Sequence, residues 1–376
     1  MLAADTYQDV GRMRDSDTVL HLGWTSDERD CLAIDMRDLL RECLADEARL
    51  LANLLSYPVD DPFYQDAIGQ AVAIFFGKPS LVAQISCAAG VNSILHCLAS
   101  FPETPITGIA APVYPDFPHW LALAGRMPIT LTDKNPRTYS DFLEATANSL
   151  LFLEHPSFSG DWIGQSLDEL RALCELAARH SSTILIDESN ANYLAPQASA
   201  VMLVDEVPNL VVVRGFSKAY GLGGIRLGYC VASTSIAPRL RQVMPPLQAS
   251  TLSVEMGCRL LRKGDVAAPL RTRIKENKPR MADWLRIAGI EPTARVDNTL
   301  PYLTLADRDP AIARLMRVGI AGKRHAMWAA QDTISWVYRL SVPLSPARFE
   351  AFSRRCEMLA DDARHSAAAP PLTGEK

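Results

Sequence analysis

No two of the eight cysteines in this 376-residue chain form a CxxC pair. Cys31, Cys43, Cys87, Cys97, Cys174, Cys230, Cys258 and Cys356 stand singly, most of them inside apolar runs. That pattern excludes a disulfide frame and a zinc site, and suits buried thiols in a reducing compartment. No metal site is expected. No run approaches the roughly 18 apolar residues of a membrane span, so no membrane partner is expected either. The start, MLAADTYQDVGRMRDSD, lacks the basic segment and apolar block of a secretory leader. The cytoplasm is therefore the expected location. A basic stripe is also missing. The formal net charge is −5 with both signs scattered, which makes nucleic acid a poor partner. No internal repeat is visible.

What is present is an ordinary globular balance, 48% apolar and 22% charged. The length is enough for one large and one small domain. Short apolar, β-branched runs occur at 81–86, 106–111, 127–132, 149–154, 182–187, 210–216 and 226–232. Helical patterns lie between several of them. The clearest is 166–180, SLDELRALCELAARH, where Ser166 and Glu169 form a capping-box signature. Strands alternating with amphipathic helices predict an α/β sheet, largely parallel and covered on both faces. Beyond about residue 247 the pattern becomes one long helical stretch, then short strands and a last helix. The expected organisation is a segment 1–50 packing with a small α+β domain, a large domain over 51–250, a long helix and small C-terminal domain over 251–366, and a disordered tail at 367–376.

The chemistry concentrates in RGFSKAYGLGGIRLGY, residues 214–229. A lysine, Lys218, leaves an apolar strand among Gly215, Gly221, Gly223 and Gly224. Lysine is rarely buried without a partner, and glycines permit close backbone approach to a ligand. Ser217 and Arg226 could hold a phosphate beside the amine. A dinucleotide fingerprint does not fit, because the third glycine is missing at GxGxxG spacing and a strand follows where a helix is required. In ILIDESNANYL, Asp187 ends another apolar strand, where α/β sheets place ligands. Such a carboxylate can pair with a protonated ring nitrogen.

The order Asp187, then Ser217-Lys218, then Arg226 resembles the fold-type I enzymes of pyridoxal 5′-phosphate, in aminotransferase class I/II. The likeness is nearest to the histidinol-phosphate aminotransferase group, whose SKAFGLAGLRIGY is similar to FSKAYGLGGIRLGY here. The resemblance implies a large domain with a mostly parallel seven-stranded sheet and a small α+β domain. It implies that Lys218 forms the Schiff base and moves protons at the substrate Cα. Ser217 and Arg226 would hold the phosphate with the amides near Ala89 and Gly90, at a helix start suited to an anion. Asp187 would pair with the ring nitrogen, and Tyr114 of APVYPDF would stack on the ring. Tyr57 of LSYPVDD would reach the phosphate of a neighbouring subunit, implying a homodimer with shared sites. Arg339 of YRLSVP would grip the α-carboxylate of an amino-acid substrate by a bidentate pair.

The chain also departs from that pattern. HPSFSG at 155–160 replaces the NPNNPTG turn, with Ser157 nearest the place of the Asn that bonds the phenolic oxygen. Asn190, beside Ser189, replaces a Tyr that bonds the same oxygen, and Gly215 replaces a Thr or Ser. His155 is read as structural. The first reading is an aminotransferase using a 2-oxo acid. The alternatives are elimination, cyclisation of an arginine derivative or decarboxylation in specialised metabolism, and, of another class, a non-catalytic α/β binding protein. Trp24, Ser26 and residues 323–328 mark the substrate pocket without defining it, and Arg324 either meets an anionic side chain or faces solvent.

Overall fold

The computed structural model describes residues 16, 18–24, 26–101, 105–157, 166–293, 299–330 and 333–368. The tail expected at 367–376 lies outside the described residues from 369 onward, as do residues 1–15 and part of the HPSFSG turn. The chain divides into two compact units. One comprises residues 28–271 and 327–335, the other residues 1–27, 272–326 and 336–376.

The larger unit is built on seven strands: β1 (Ile85–Ala88), β2 (Ile106–Ala110), β3 (Ile129–Leu131), β4 (Ser149–Glu154), β5 (Thr183–Asp187), β6 (Leu210–Gly215) and β7 (Gly228–Ala232). Their order is β1-β7-β6-β5-β4-β2-β3. Only β7 runs against its neighbours; the remaining pairs are parallel. The apolar runs are continuous rather than alternating because both faces are covered. Along β5, Ile184 and Ile186 enter one core cluster, while Leu185 enters the other. Leu151 and Leu153 of β4 likewise face the first cluster, and Leu150 and Phe152 the second. By that alternation Glu154 and Asp187, opposite each other in register, emerge on the second face at the carboxyl end of the sheet.

Two helices cover that face, α1 (Val91–Ala99) and α2 (Asp116–Leu123). They bury Ile94, Leu95 and Leu98, and Phe117 and Leu121. On the other face lies α3 (Leu167–Arg179), whose Ser166–Glu169 capping box forms as the sequence predicts.

Three boundaries differ from expectation. Residues 81–84 are not strand. Pro79 opens a tight 3₁₀ turn through Gln84, and β1 begins at Ile85 where pairing with Val231 is available. The run at 127–132 is strand only over three residues. The long helical stretch is two helices, Thr251–Arg262 and Ala268–Ile287. Gly264, with φ of 76°, supplies the left-handed residue that ends the first.

The smaller unit holds strands β8 (Tyr302–Ala306), β9 (Lys323–Ala330) and β10 (Thr333–Ser341), in the order β9-β10-β8; the end of β9 from Met327 and the start of β10 to Ser335 count with the larger unit. The β10 pairing with β8 is antiparallel, from Val337↔Ala306 to Ser341↔Tyr302. Leu20–His21 pairs in parallel with Ile320–Ala321. A helix at Pro346–Ala368 packs Phe349 and Phe352 inward. No helix among the described residues is long and apolar enough to cross a membrane.

Candidate active site

Lys218 sits three residues beyond the end of β6, half-buried. The backbone around it is held tightly. Its carbonyl accepts from Tyr220 N at 2.8 Å and from Asn192 Nδ2 at 3.4 Å, and the same amide nitrogen donates to Gly215 O at 2.9 Å. Asn192 is itself fixed, because Arg214 Nη2 donates to its Oδ1 at 2.7 Å. Arg214 forms a buried ion pair with Glu188 and also donates to Ser199 Oγ at 3.0 Å and Tyr229 O–H at 3.2 Å. A fully satisfied buried charge network of this kind fixes geometry. It anchors the strand end that carries the lysine.

Asp187 lies at the neighbouring strand end. Its Oδ1 accepts from Ser189 N at 2.8 Å. Burial pushes its carboxyl above the ordinary range, the Ser189 donors pull it back, and the positive charge of Lys218 adds to that pull. A carboxylate in this state favours a cation beside it.

A second cluster forms where α1 begins. Gly90 precedes the helix with φ of 92°, and a Cβ there would lie 2.8 Å from Arg226 Nη2. The guanidinium is thus laid over the helix N-terminus. Arg226 adopts a left-handed φ of 51°, and its Nη1 donates to Gly223 O at 3.2 Å. A Cβ on Gly223 would sit 3.8 Å from Ser217 Oγ. A Cβ on Gly228 would strike Gly90 C and Val91 N at 2.6 Å. Arg226, Ser217 and the start of α1 therefore come together around glycines whose missing Cβ permits the close approach. Ala89 is half-buried in the same turn, and its carbonyl accepts from Ser93 Oγ at 3.1 Å.

Tyr114 is half-buried after β2, with its backbone N–H donating to Glu154 Oε1 at 2.7 Å. Ser157 is buried, and its Oγ accepts from Lys134 Nζ at 2.8 Å. Asn190 is buried and makes no side-chain hydrogen bond to a described residue; its carbonyl accepts from Tyr193 N at 3.1 Å. His155 donates its backbone N–H to Asp187 O at 2.9 Å, and its Nε2 lies 2.9 Å from Ala198 O. Tyr57 stands apart. It is 79% exposed, on the rim of a cavity of about 720 Å³ that Tyr64, Glu255 and Arg259 also line.

Arg339 belongs to the smaller unit. It is buried there, donates from Nη2 to Gly23 O at 2.8 Å, and approaches the Tyr302 and Trp24 rings at 5.1 and 5.9 Å. Lys323 is buried too, 5.6 Å from the same Trp24 ring. Strand alternation sends its neighbour outward. Arg324 faces solvent, paired through Nε and Nη2 with Asp307 at 2.7 and 2.8 Å, and stacked on Trp336.

Sequence reasoning missed Lys134 and the Glu188–Arg214–Asn192 network, and it named 323–328 without singling out Lys323. The network had a signal: a charged Arg214 inside the apolar run LVVVRGF demands a buried partner.

Comparisons with known proteins give the chain its family and its fold. Residues 58–331 match the family model for aminotransferase class I and II. A histidinol-phosphate aminotransferase of Thermobifida fusca (strain YX) is 27% identical over 267 residues, covering 68% of this chain and 70% of that one. An aromatic amino acid aminotransferase of Rhodococcus erythropolis (strain PR4) is 26% identical over 262 residues, 67% of each. A histidinol-phosphate aminotransferase of Cereibacter sphaeroides (strain KD131) matches over 62% of its own length. Among solved structures, the histidinol-phosphate aminotransferase of Sinorhizobium meliloti in complex with pyridoxal 5′-phosphate shares the fold. Its TM-score is 0.68 at 17% identity, over 93% of this chain and 90% of that one. The L-threonine-O-3-phosphate decarboxylase of Porphyromonas gingivalis shares it at 0.68 and 17%, over 92% and 98%. The chain belongs to the aminotransferase class I and II family. It has the fold-type I architecture and is a pyridoxal-phosphate-dependent aminotransferase. The curated relatives do not favour the elimination, cyclisation, decarboxylation or non-catalytic readings.

Proposed function

We propose that the larger unit binds pyridoxal 5′-phosphate at Lys218 and that the protein passes the α-amino group of an amino acid to a 2-oxo acid. The observation that carries the site is the cradle at α1, where a Cβ on Gly90 would fall 2.8 Å from the Arg226 guanidinium. The residues fit the group at both ends. Ser217, Arg226 and the start of α1 suit its phosphate, with the Gly90 N–H itself turned to Ala88 O at 2.7 Å, and the raised Asp187 carboxyl suits a cationic ring nitrogen.

The cofactor supplies an aldehyde carbon and an electron-withdrawing ring. Lys218 is the base and acid that takes the proton from the substrate Cα and returns it one atom away. Asp187 holds the ring nitrogen in its charged form. Tyr114 covers a ring face and excludes water. Ser157, held by Lys134, and Asn190 line the phenolic-oxygen end. Arg339 takes the substrate α-carboxylate as a bidentate pair. The second buried cation at Trp24, Lys323, suits a substrate or amino acceptor with another acidic group.

The test is a half-reaction. An amino acid added alone to the loaded protein should bleach the aldehyde band and release one equivalent of 2-oxo acid, and a second 2-oxo acid should restore the band. Ammonia or carbon dioxide in place of that exchange contradicts the reading. Arg339→Lys should raise KM by about tenfold or more, since the bidentate geometry is lost.

The assembly is a homodimer in the cytoplasm, with Tyr57 reaching the partner's phosphate site. What supports this is an exposed apolar group around Tyr57, namely Leu51, Leu54, Leu55 and Val59, of the kind a second copy covers. Sedimentation should give twice the chain mass; a monomer with full activity contradicts it.

A further inference from the structure

Five residues, Ala111 to Pro115, join β2 to α2 and carry Tyr114. Two of them, Pro112 and Pro115, have no N–H to give. The three N–H groups that remain go to different elements. Ala111 donates to Leu131 O in β3 at 2.9 Å, shared with Ile109 O at 3.0 Å. Val113 donates to Trp328 O at 3.1 Å and its carbonyl accepts from Trp328 N at 2.9 Å, an isolated antiparallel bridge. Trp328 counts with the larger unit. Tyr114 donates to Glu154 Oε1 at 2.7 Å. The partners of Ala111 and Val113 are backbone, which any side chain leaves in place. For Tyr114 the partner is a side chain.

One peptide group is therefore held at both of its polar atoms. The Val113 carbonyl is bonded by Trp328 N, and the Tyr114 N–H by Glu154. A peptide group is planar, so bonds at its two ends stop it from rotating, and its orientation sets where Tyr114 Cβ points. Glu154 itself is placed by the sheet. It ends β4 as the register partner of Asp187 across a parallel pair, and it is only 5% exposed. A buried carboxylate needs donors, and a backbone N–H on a carboxylate makes a shorter, stronger bond than one on a neutral oxygen. Resting on the cofactor reading above, we propose that Glu154 is a positioning residue that holds the Tyr114 ring in place over the cofactor ring. It acts through the Tyr114 N–H and not through its charge. The strand beside the one that ends in Asp187 thus sets the position of the aromatic cover.

The probe is 4′-deoxypyridoxine 5′-phosphate, which has the cofactor's ring and phosphate but no aldehyde, and so reports the site without the Lys218 bond. Its affinity for the full chain is measured by calorimetry at a single pH. Tyr114→Ala should weaken it by about three- to tenfold, the weight of one aromatic contact. Glu154→Leu, which keeps the volume and loses the acceptor, should weaken it by a similar factor; Glu154→Ala serves if the leucine variant does not fold. With Tyr114→Ala and the Glu154 change together, the loss should match Tyr114→Ala alone to within about twofold, because no ring is left to position. Glu154→Gln keeps an oxygen for the Tyr114 N–H and should bind as wild type does. Losses that multiply in the double variant overturn the proposal. So does a Glu154→Gln as weak as Glu154→Leu, which would make charge the property the site uses. Wild-type affinity in Tyr114→Ala overturns this proposal and leaves the cofactor reading standing. Failure of wild type to bind the probe overturns both.

Discussion

Lys218→Ala should lower turnover by at least about 10⁴-fold, the combined weight of a lost covalent anchor and a lost proton carrier. The protein should still fold. What holds this turn is backbone: the Lys218 carbonyl accepts from Tyr220 N and Asn192 Nδ2, and neither bond uses the ε-amine. The proposed phosphate site of Gly90, Ser217 and Arg226 also remains. The variant should therefore bind the cofactor weakly and lose it on dialysis, whereas borohydride should fix it to one peptide of the wild type, the one containing residue 218. A small added amine such as methylamine should restore part of the rate, which a folding defect would not allow. Cofactor fixed at another lysine, or turnover retained in the variant, sinks the assignment.

Much of this arrangement is readable without coordinates, for physical reasons that differ by element. The central strands β4, β5 and β6 are legible because both faces are buried, so the apolar runs are unbroken. The α3 start is legible because its cap is local, with Ser166 and Glu169 satisfying each other. The lysine turn is legible because glycines, an arginine and a lysine occur together where a strand ends. What failed depends on distant partners. The segment at 81–84 has strand composition, but Pro79 fixes a tight turn and pairing with β7 starts only at Ile85. Asp116 looks like an ordinary helix-start acid, and its burial, which raises its carboxyl, comes only from packing outside its own helix. Lys323 and Arg324 are adjacent basic residues, and the sequence does not say which one the strand turns inward. Ser157 is recognisable as the odd residue of its turn. Its partner Lys134 comes from 23 residues earlier, beyond any local pattern.

The departures cluster at one end of the site. The proposed phosphate site and Asp187 keep the residue types of the resemblance. At the other end, the Ser157 hydroxyl accepts from a lysine ammonium. An acceptor held by a cation is a different electrostatic setting from an amide or phenol donor. The titration of the bound cofactor's visible band is where that difference is read.

Glu188→Ala should cost about 3–5 kcal/mol of stability, because it strands a buried guanidinium. The two side chains are 3% and 0% exposed. Arg214 would keep Ser199, Asn192 and Tyr229 as hydrogen-bond partners, yet these carry no charge to balance its own. Glu188 also holds Ser199 Oγ at 2.5 Å and Ala200 N at 2.6 Å, so the 3₁₀ turn that starts at Ala200 loosens as well. The expected readout is a clear fall in the urea midpoint of the apoprotein. Removing both charges with Glu188→Leu and Arg214→Met should recover most of it, since a buried pair exchanged for apolar groups is often neutral. Activity should not return with it. Without Arg214, the Asn192 amide loses the donor at its Oδ1 and with it the fixed orientation from which Nδ2 reaches Gly215 O and Lys218 O. The double variant should fold near the wild-type midpoint and turn over about tenfold or more slowly, the size of a small misplacement of a reacting group. Full activity in that stable double variant would show that the network serves folding alone and that the lysine turn holds itself in place.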